Sequence, residues 1–196
     1  MNYMDYYHGS TVGGLKELNP FSSPYSNLKE SVVYLTTNKQ LALHYIWNKE
    51  KFPVTYPMLH ICDDGKLIFQ EMFSGALELF YKGLSGYIYH CVGEYEINGN
   101  VGVTTAAISK EKVSVFDYEF IENVYEKIME YGKNGSFTYD KFENRSVEAH
   151  EAIKRIVLRE VKRNNLIKDN KHPLHIFYKK YFPEYWLEAE KIEKSE

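Results

Sequence analysis

The sequence predicts an α+β fold in which a β-rich core with short helices is followed by a helical C-terminal portion. Two textures predict it. Up to Asp117 the chain runs in short β-branched and aromatic stretches punctuated by Gly, Asn and Asp. After Asp117 it carries 3.6-residue periodicity with Gly or Pro between the periodic segments. A 44% hydrophobic and 26% charged composition over 196 residues is that of a globular chain long enough for one sizeable core. The expected division is therefore 1–117 and 118–196, with the second part either packed onto the first as one domain or forming a small domain of its own.

The elements follow in order. Tyr3 to Tyr7 reads as an opening strand that delivers His8 at its end; Gly9, Gly13 and Gly14 then break regularity, and Leu15 and Leu18 suggest a brief helical turn. Ser31 to Thr36 reads as a strand with Val33 and Leu35 on one face and Tyr34 on the other. Thr37-Asn38-Lys39-Gln40 has the form of a capping box, which predicts a helix from about Asn38 to Asn48 with Tyr45 on it, closed by the Pro53–Pro57 segment. Further strands are expected over 58–61, 67–70, 87–92, 95–97, 101–105 and 112–116, with a short helix over 74–81. Helices are expected over 119–131, 146–164 and 173–194, the middle one with Val147, Ile153, Ile156, Val157 and Val161 as its apolar stripe.

Composition narrows the function classes. A net charge of −3 provides no global field for a polyanion or an acidic membrane. Arg155, Arg159 and Arg163 fall at helical spacing, which a solvated face explains. Cys62 and Cys91 stand apart, as reduced thiols of a cytoplasmic protein do, and neither a leader peptide nor a membrane-spanning run is visible. His172-x-x-His175 has Pro173 inside it and reads as a capped helix start rather than a metal site. Gly9-x-x-x-Gly13-Gly14 lacks the Gly-Lys-Ser/Thr of a phosphate loop.

One constellation carries chemistry. His8-Gly9-Ser10 stands at a strand end, Tyr34 on a later strand, Ala42 and Tyr45 on the helix that follows. This arrangement resembles the ADP-ribosyltransferase superfamily of the His-Tyr-Glu type, to which the diphtheria toxin and the poly-ADP-ribose polymerases belong. The resemblance covers about the first 117 residues and is sharpest from His8 to Tyr45. It implies a split β-sheet core, NAD as substrate, no metal, and transfer of ADP-ribose to an acceptor, protein or nucleic acid, or to water as in an NAD glycohydrolase. Under it, Gly9 would pair through its backbone with the nicotinamide amide. Tyr45, and Tyr34 to a lesser degree, would stack on the cationic pyridinium. His8 would hold a ribose hydroxyl with help from Ser10, and Thr36 would belong to the same NAD-binding set.

The oxocarbenium-like state of such a reaction needs a carboxylate. Glu111, in Ser109-Lys110-Glu111-Lys112-Val113, is the candidate, with Glu94 and Glu96 as rivals. The expected catalytic set is thus His8, Tyr45 and Glu111. The alternative is a catalytically inactive relative that binds NAD, an ADP-ribose-like nucleotide or a protein partner. The arginine-specific branch is disfavoured because no Arg precedes position 145, and His44 is the sole hint of an RNA 2′-phosphotransferase.

Overall fold

A computed structural model describes residues 4–22, 28, 30–47, 59–61, 66–97 and 105–195; for 59–61 and 97 it describes the backbone alone. The chain is a mixed α/β protein built on an antiparallel sheet with several helices. No helix among the described residues is long and apolar enough to cross a membrane. Two compact units are present, one made of 1–69 with 77–139, the other of 70–76 with 140–196.

The first unit contains a six-stranded sheet of β10 (Asp117–Ile121), β6 (Gly86–Gly93), β1 (Met4–Ser10), β3 (Val33–Thr36), β8 (Ala106–Ser109) and β7 (Glu96–Ile97), in that order. β1 and β6 are paired along their whole length, from Met4↔Gly93 to Ser10↔Tyr87. β1 and β3 share only the pair Tyr7↔Thr36, so the two strands part beyond it. Alternation then assigns the faces. Tyr6, Val33, Leu35, Tyr89, Cys91 and Ala107 form a buried cluster on one side, joined by Leu18 and Val113 from the small sheet of β2 (Glu17–Leu18) and β9 (Val113–Ser114). Burial pushes the Cys91 thiol up to about 11, so it stays protonated. Tyr7, Gly9, Tyr34 and Thr36 share the other side, against which α1 (Lys39–His44) lies. A second sheet of β11 (Phe137–Asp140), β5 (Leu67–Gln70) and β4 (Leu59–Ile61) accompanies α2 (Ala76–Tyr81) and α3 (Val124–Lys133).

The second unit is helical. Ser146 caps α4 (Val147–Arg163) by accepting from the Ala149 N–H, and Ile153, Val157 and Val161 of the expected stripe are buried. Its Glu160 is only 3% exposed, held by Arg163 at 2.7 Å, Arg159 at 3.3 Å and the Asn164 amide at 3.3 Å. The arginine spacing therefore has a structural use at two of its three positions. His172 caps α5 (Pro173–Tyr181) by accepting from the Leu174 N–H, as the capped-start reading expects. Phe73, Phe177, Tyr181 and Phe182 form a ring cluster, with Phe73 stacked on Tyr181 at 4.7 Å. Phe182 separates α5 from α6 (Pro183–Ser195), dividing the one helix expected over 173–194.

Other expectations are corrected. The expected break at 117/118 falls inside the sheet unit, because Asp117–Ile121 pairs with β6 and the compact unit continues to Tyr139. Glu119–Ile121 is thus strand, and the helix begins at Val124, capped by Asn123. Leu15 to Leu18 contributes a strand rather than a helical turn, paired to Val113–Ser114. The capping box is displaced by one residue: Asn38 accepts from the Leu41 N–H, while Gln40 donates to Ser136 at 2.9 Å instead of reaching back. α1 also ends at His44, so Tyr45 is its C-cap. The Pro53–Pro57 segment, Cys62 and residues 101–104 of an expected strand lie outside the described residues.

Candidate functional site

The parting of β1 from β3 positions the candidate site. Past Tyr7↔Thr36, the His8 imidazole spans the gap and meets the Tyr34 carbonyl at 2.8 Å. A carbonyl only accepts, so Nδ1 carries the proton and Nε2 of the neutral ring is the acceptor. His8 leaves the sheet on the face of its register partner Tyr89, while Tyr34 and Gly9 belong to the α1 face.

Gly9 has a packing reason to lack a side chain. A Cβ there would stand 1.9 Å from the Ala42 carbonyl oxygen and 3.1 Å from Ile46 Cγ1. The close approach of α1 to β1 brings the C-cap Tyr45 to the side that carries Tyr34. Burial raises the Tyr45 phenol above its ordinary value and the Tyr34 phenol nearby adds to the effect. Tyr34 also meets Phe21 edge-on at 5.8 Å, and Tyr45 lies 5.9 Å from the Trp47 ring. Tyr34, Gly9 and Tyr45 are therefore one neighbourhood on the α1 face, while the His8 side chain belongs to the opposite face and is tied to this neighbourhood through the Tyr34 backbone carbonyl. Ser10 adjoins them, its Oγ accepting from the Val12 N–H.

Two expected members stand differently. Thr36 is 3% exposed; its hydroxyl donates to Thr105 and accepts from the Asn38 N–H, which makes it part of the β3–α1 turn rather than a surface a cofactor reaches. Glu111 is exposed in the turn after β8, where its backbone N–H and carbonyl bond the Ser109 hydroxyl. Its flanking lysines pair outward, Lys110 with Glu30 at 2.6 Å and Lys112 with Glu17 at 3.2 Å. No hydrogen bond among the described residues links the Glu111 carboxylate to His8, Tyr34 or Tyr45. Of its rivals, Glu94 is exposed outside the strands. Glu96 completes the row Tyr34↔Ile108↔Glu96, about 10 Å from Tyr34 by two strand spacings and on the same face.

Glu119 was not foreseen. It occupies the row Gly9↔Ile88↔Glu119 and binds Lys39 of α1 at 2.6 Å. Alternation along Asp117-Tyr118-Glu119-Phe120-Ile121 was the available signal, masked by the helical reading of that stretch. At the N-terminal end of α1 a cleft of about 610 Å³ is lined by Lys39, Gln40, Lys66, Thr105 and Ser136 among others, and not by His8, Tyr34 or Tyr45.

His44, the one hint of a phosphotransferase, is sealed. Its Nδ1–H donates to the Gln40 carbonyl at 2.9 Å, and Phe69, Tyr81 and Phe137 surround the ring. Burial holds its pKa down at about 4, so it is neutral and unsuited to meet a phosphate. Compared with protein-family models, curated proteins and solved structures, the chain matches none.

Proposed function

We propose that this protein is an NAD-dependent ADP-ribosyltransferase, or an NAD glycohydrolase where water is the acceptor, built on an ADP-ribosyltransferase-like split sheet. The observation that carries the reading is the His8 Nδ1–H donating to the Tyr34 carbonyl where β1 leaves β3. That bond fixes the ring and turns Nε2 into an acceptor for a ribose hydroxyl. Tyr45 supplies an aromatic face for the pyridinium, which attracts a cationic ring. As the nicotinamide–ribose bond lengthens, positive charge grows on the ribose and a carboxylate stabilises it. Glu111 is the sequence's choice for that group. Glu96 gains weight from its row with Tyr34, whereas Glu111 has no register partner there.

The test is release of nicotinamide from labelled NAD. Wild type is expected to release it, His8→Ala to lose at least about 100-fold, and Tyr45→Ala to abolish the thermal shift given by nicotinamide. Of Glu96→Gln and Glu111→Gln, the one that stops release marks the carboxylate. No release by wild type, with NAD still raising the melting temperature, favours the second reading: a binding protein without turnover. That reading draws on the exposure of Glu111 away from His8. Absence of both release and binding overturns the proposal.

A further inference from the structure

Of the carbonyls that close α1, one is satisfied from outside the helix. Ala42 and Leu43 accept from the N–H groups of Tyr45 and Ile46, each at 3.1 Å, as in any tightening last turn. The His44 carbonyl instead accepts from the Tyr81 phenol at 2.9 Å. Tyr81 is the last residue of α2 and only 1% exposed, its ring edge-on to His44 at 5.6 Å and to Phe69 at 6.2 Å. Burial raises its phenol, which stays a protonated donor. A ring without a hydroxyl would serve the cage around His44, as Phe69 and Phe137 do. A buried hydroxyl costs stability unless it is bonded, and this one is spent on a single carbonyl.

That carbonyl belongs to the peptide from which Tyr45 begins. A peptide unit is planar, so the His44 C=O and the Tyr45 N–H turn together. Both ends of this one are held: the C=O by Tyr81, and the N–H by the Ala42 carbonyl oxygen, the atom that a side chain on Gly9 would strike. The direction in which Tyr45 leaves the helix is thereby clamped between α2 and β1. The two phenols are also close enough for Tyr45 to add to the rise of the Tyr81 pKa. We propose that Tyr81 is a positioning residue, holding the Tyr45 ring in the orientation that receives the nicotinamide end of NAD; the proposal rests on the NAD reading above. Tyr81 acts through Tyr45 and not by contact with the ligand, because its hydroxyl faces the backbone of α1 inside the core. Without that hydroxyl the 44–45 peptide keeps one bond of two, and Tyr45 spreads over more orientations. An aromatic face attracts a flat cation only when the two are in register, so the spread is lost as affinity.

Tyr81→Phe in the full chain, which removes one oxygen and keeps the ring, tests it. NAD affinity (KM for nicotinamide release, or Kd where there is no turnover) is expected to weaken roughly 5-fold. ADP-ribose, which lacks the nicotinamide, is expected to bind Tyr81→Phe as it binds wild type. On a Tyr45→Ala background the same substitution is expected to change NAD affinity by less than about 2-fold, since two residues that act as one do not add. A lower melting temperature with unchanged NAD affinity overturns the proposal, because the phenol then serves the fold alone. An equal loss in both backgrounds overturns it, and so does an equal loss of ADP-ribose affinity. Failure of wild type to bind either ligand is a separate outcome, which removes the NAD reading and this inference together.

Discussion

Two histidines of the sheet unit make the same local bond in opposite surroundings. His8 and His44 each donate Nδ1–H to a backbone carbonyl, of Tyr34 at 2.8 Å and of Gln40 at 2.9 Å. Around His8 the strands part and the ring is half-exposed at the gap. Around His44 three aromatic rings close in, Nε2 has no hydrogen-bond partner among the described residues, and the residue is 1% exposed. The lesson is that the first nitrogen fixes a histidine and the surroundings of the second decide its use. The His8 ring is held in the gap between two strands; the His44 ring is walled by aromatic side chains and costs stability if protonated. The two residues are coupled through one short helix, since α1 ends at His44, carries Tyr45 as its cap, and rests on Gly9 next to His8.

The sharpest way to break the comparison is to push that helix away. Gly9→Ala would place its Cβ against the Ala42 carbonyl oxygen, a backbone atom that cannot rotate aside. The expected loss is about 3 kcal/mol or more, at the upper end of overpacking, read as a melting temperature lowered by about 10 °C. A shift under about 2 °C would mean that helix and strand do not approach this closely in solution.

That glycine also marks what the sequence could and could not disclose. His8-Gly9-Ser10 was legible as a motif, but a motif does not say that Gly9 is needed beneath a helix. Leu67–Gln70 and the long α4 were legible because their apolar periods are set by one-sided burial and little else. The stretch Glu119–Ile121 reads as the start of a helix because it runs directly into the helical period of α3, while pairing to β6 settles the matter through residues far along the chain. His44 was legible as a histidine and not as a buried one, since Phe69, Tyr81 and Phe137 come from three other elements. The carboxylate was the least legible part. The alternation after Glu111 describes a strand, Val113–Ser114, that pairs with Glu17–Leu18 rather than joining the sheet of His8.

The cage gives the next largest effect. The pKa of His44 is lowered on folding from 6.5 to about 4, so the unfolded chain takes up the proton first. Its contribution is fully present above pH 6.5, declines as the pH falls through that value, and is lost by about pH 4. The full loss is about 3 kcal/mol. Urea midpoints of wild type and His44→Leu between pH 7 and 4 read it directly: the substitution should flatten the acid slope in that window. An identical slope in both proteins would show that water reaches the imidazole and that the contrast with His8 is one of degree.

The smallest effect tests the coupling itself. Asn38 accepts the Leu41 N–H at 3.0 Å and so caps the far end of α1. Asn38→Ala should cost about 1 kcal/mol, whereas Thr37→Ala, one residue earlier and outside the cap, should cost little. In so short a helix a loosened start is transmitted to its end. Asn38→Ala is therefore expected also to weaken nicotinamide binding at Tyr45 by a few-fold, and to raise the apparent pKa of His44 as its cage admits water. Destabilisation without either change would mean that the C-terminal end of α1 is held by the sheet alone, through Ala42 and Ile46 over Gly9. The site around Tyr45 and the cage around His44 would then be independent of the helix start that precedes them.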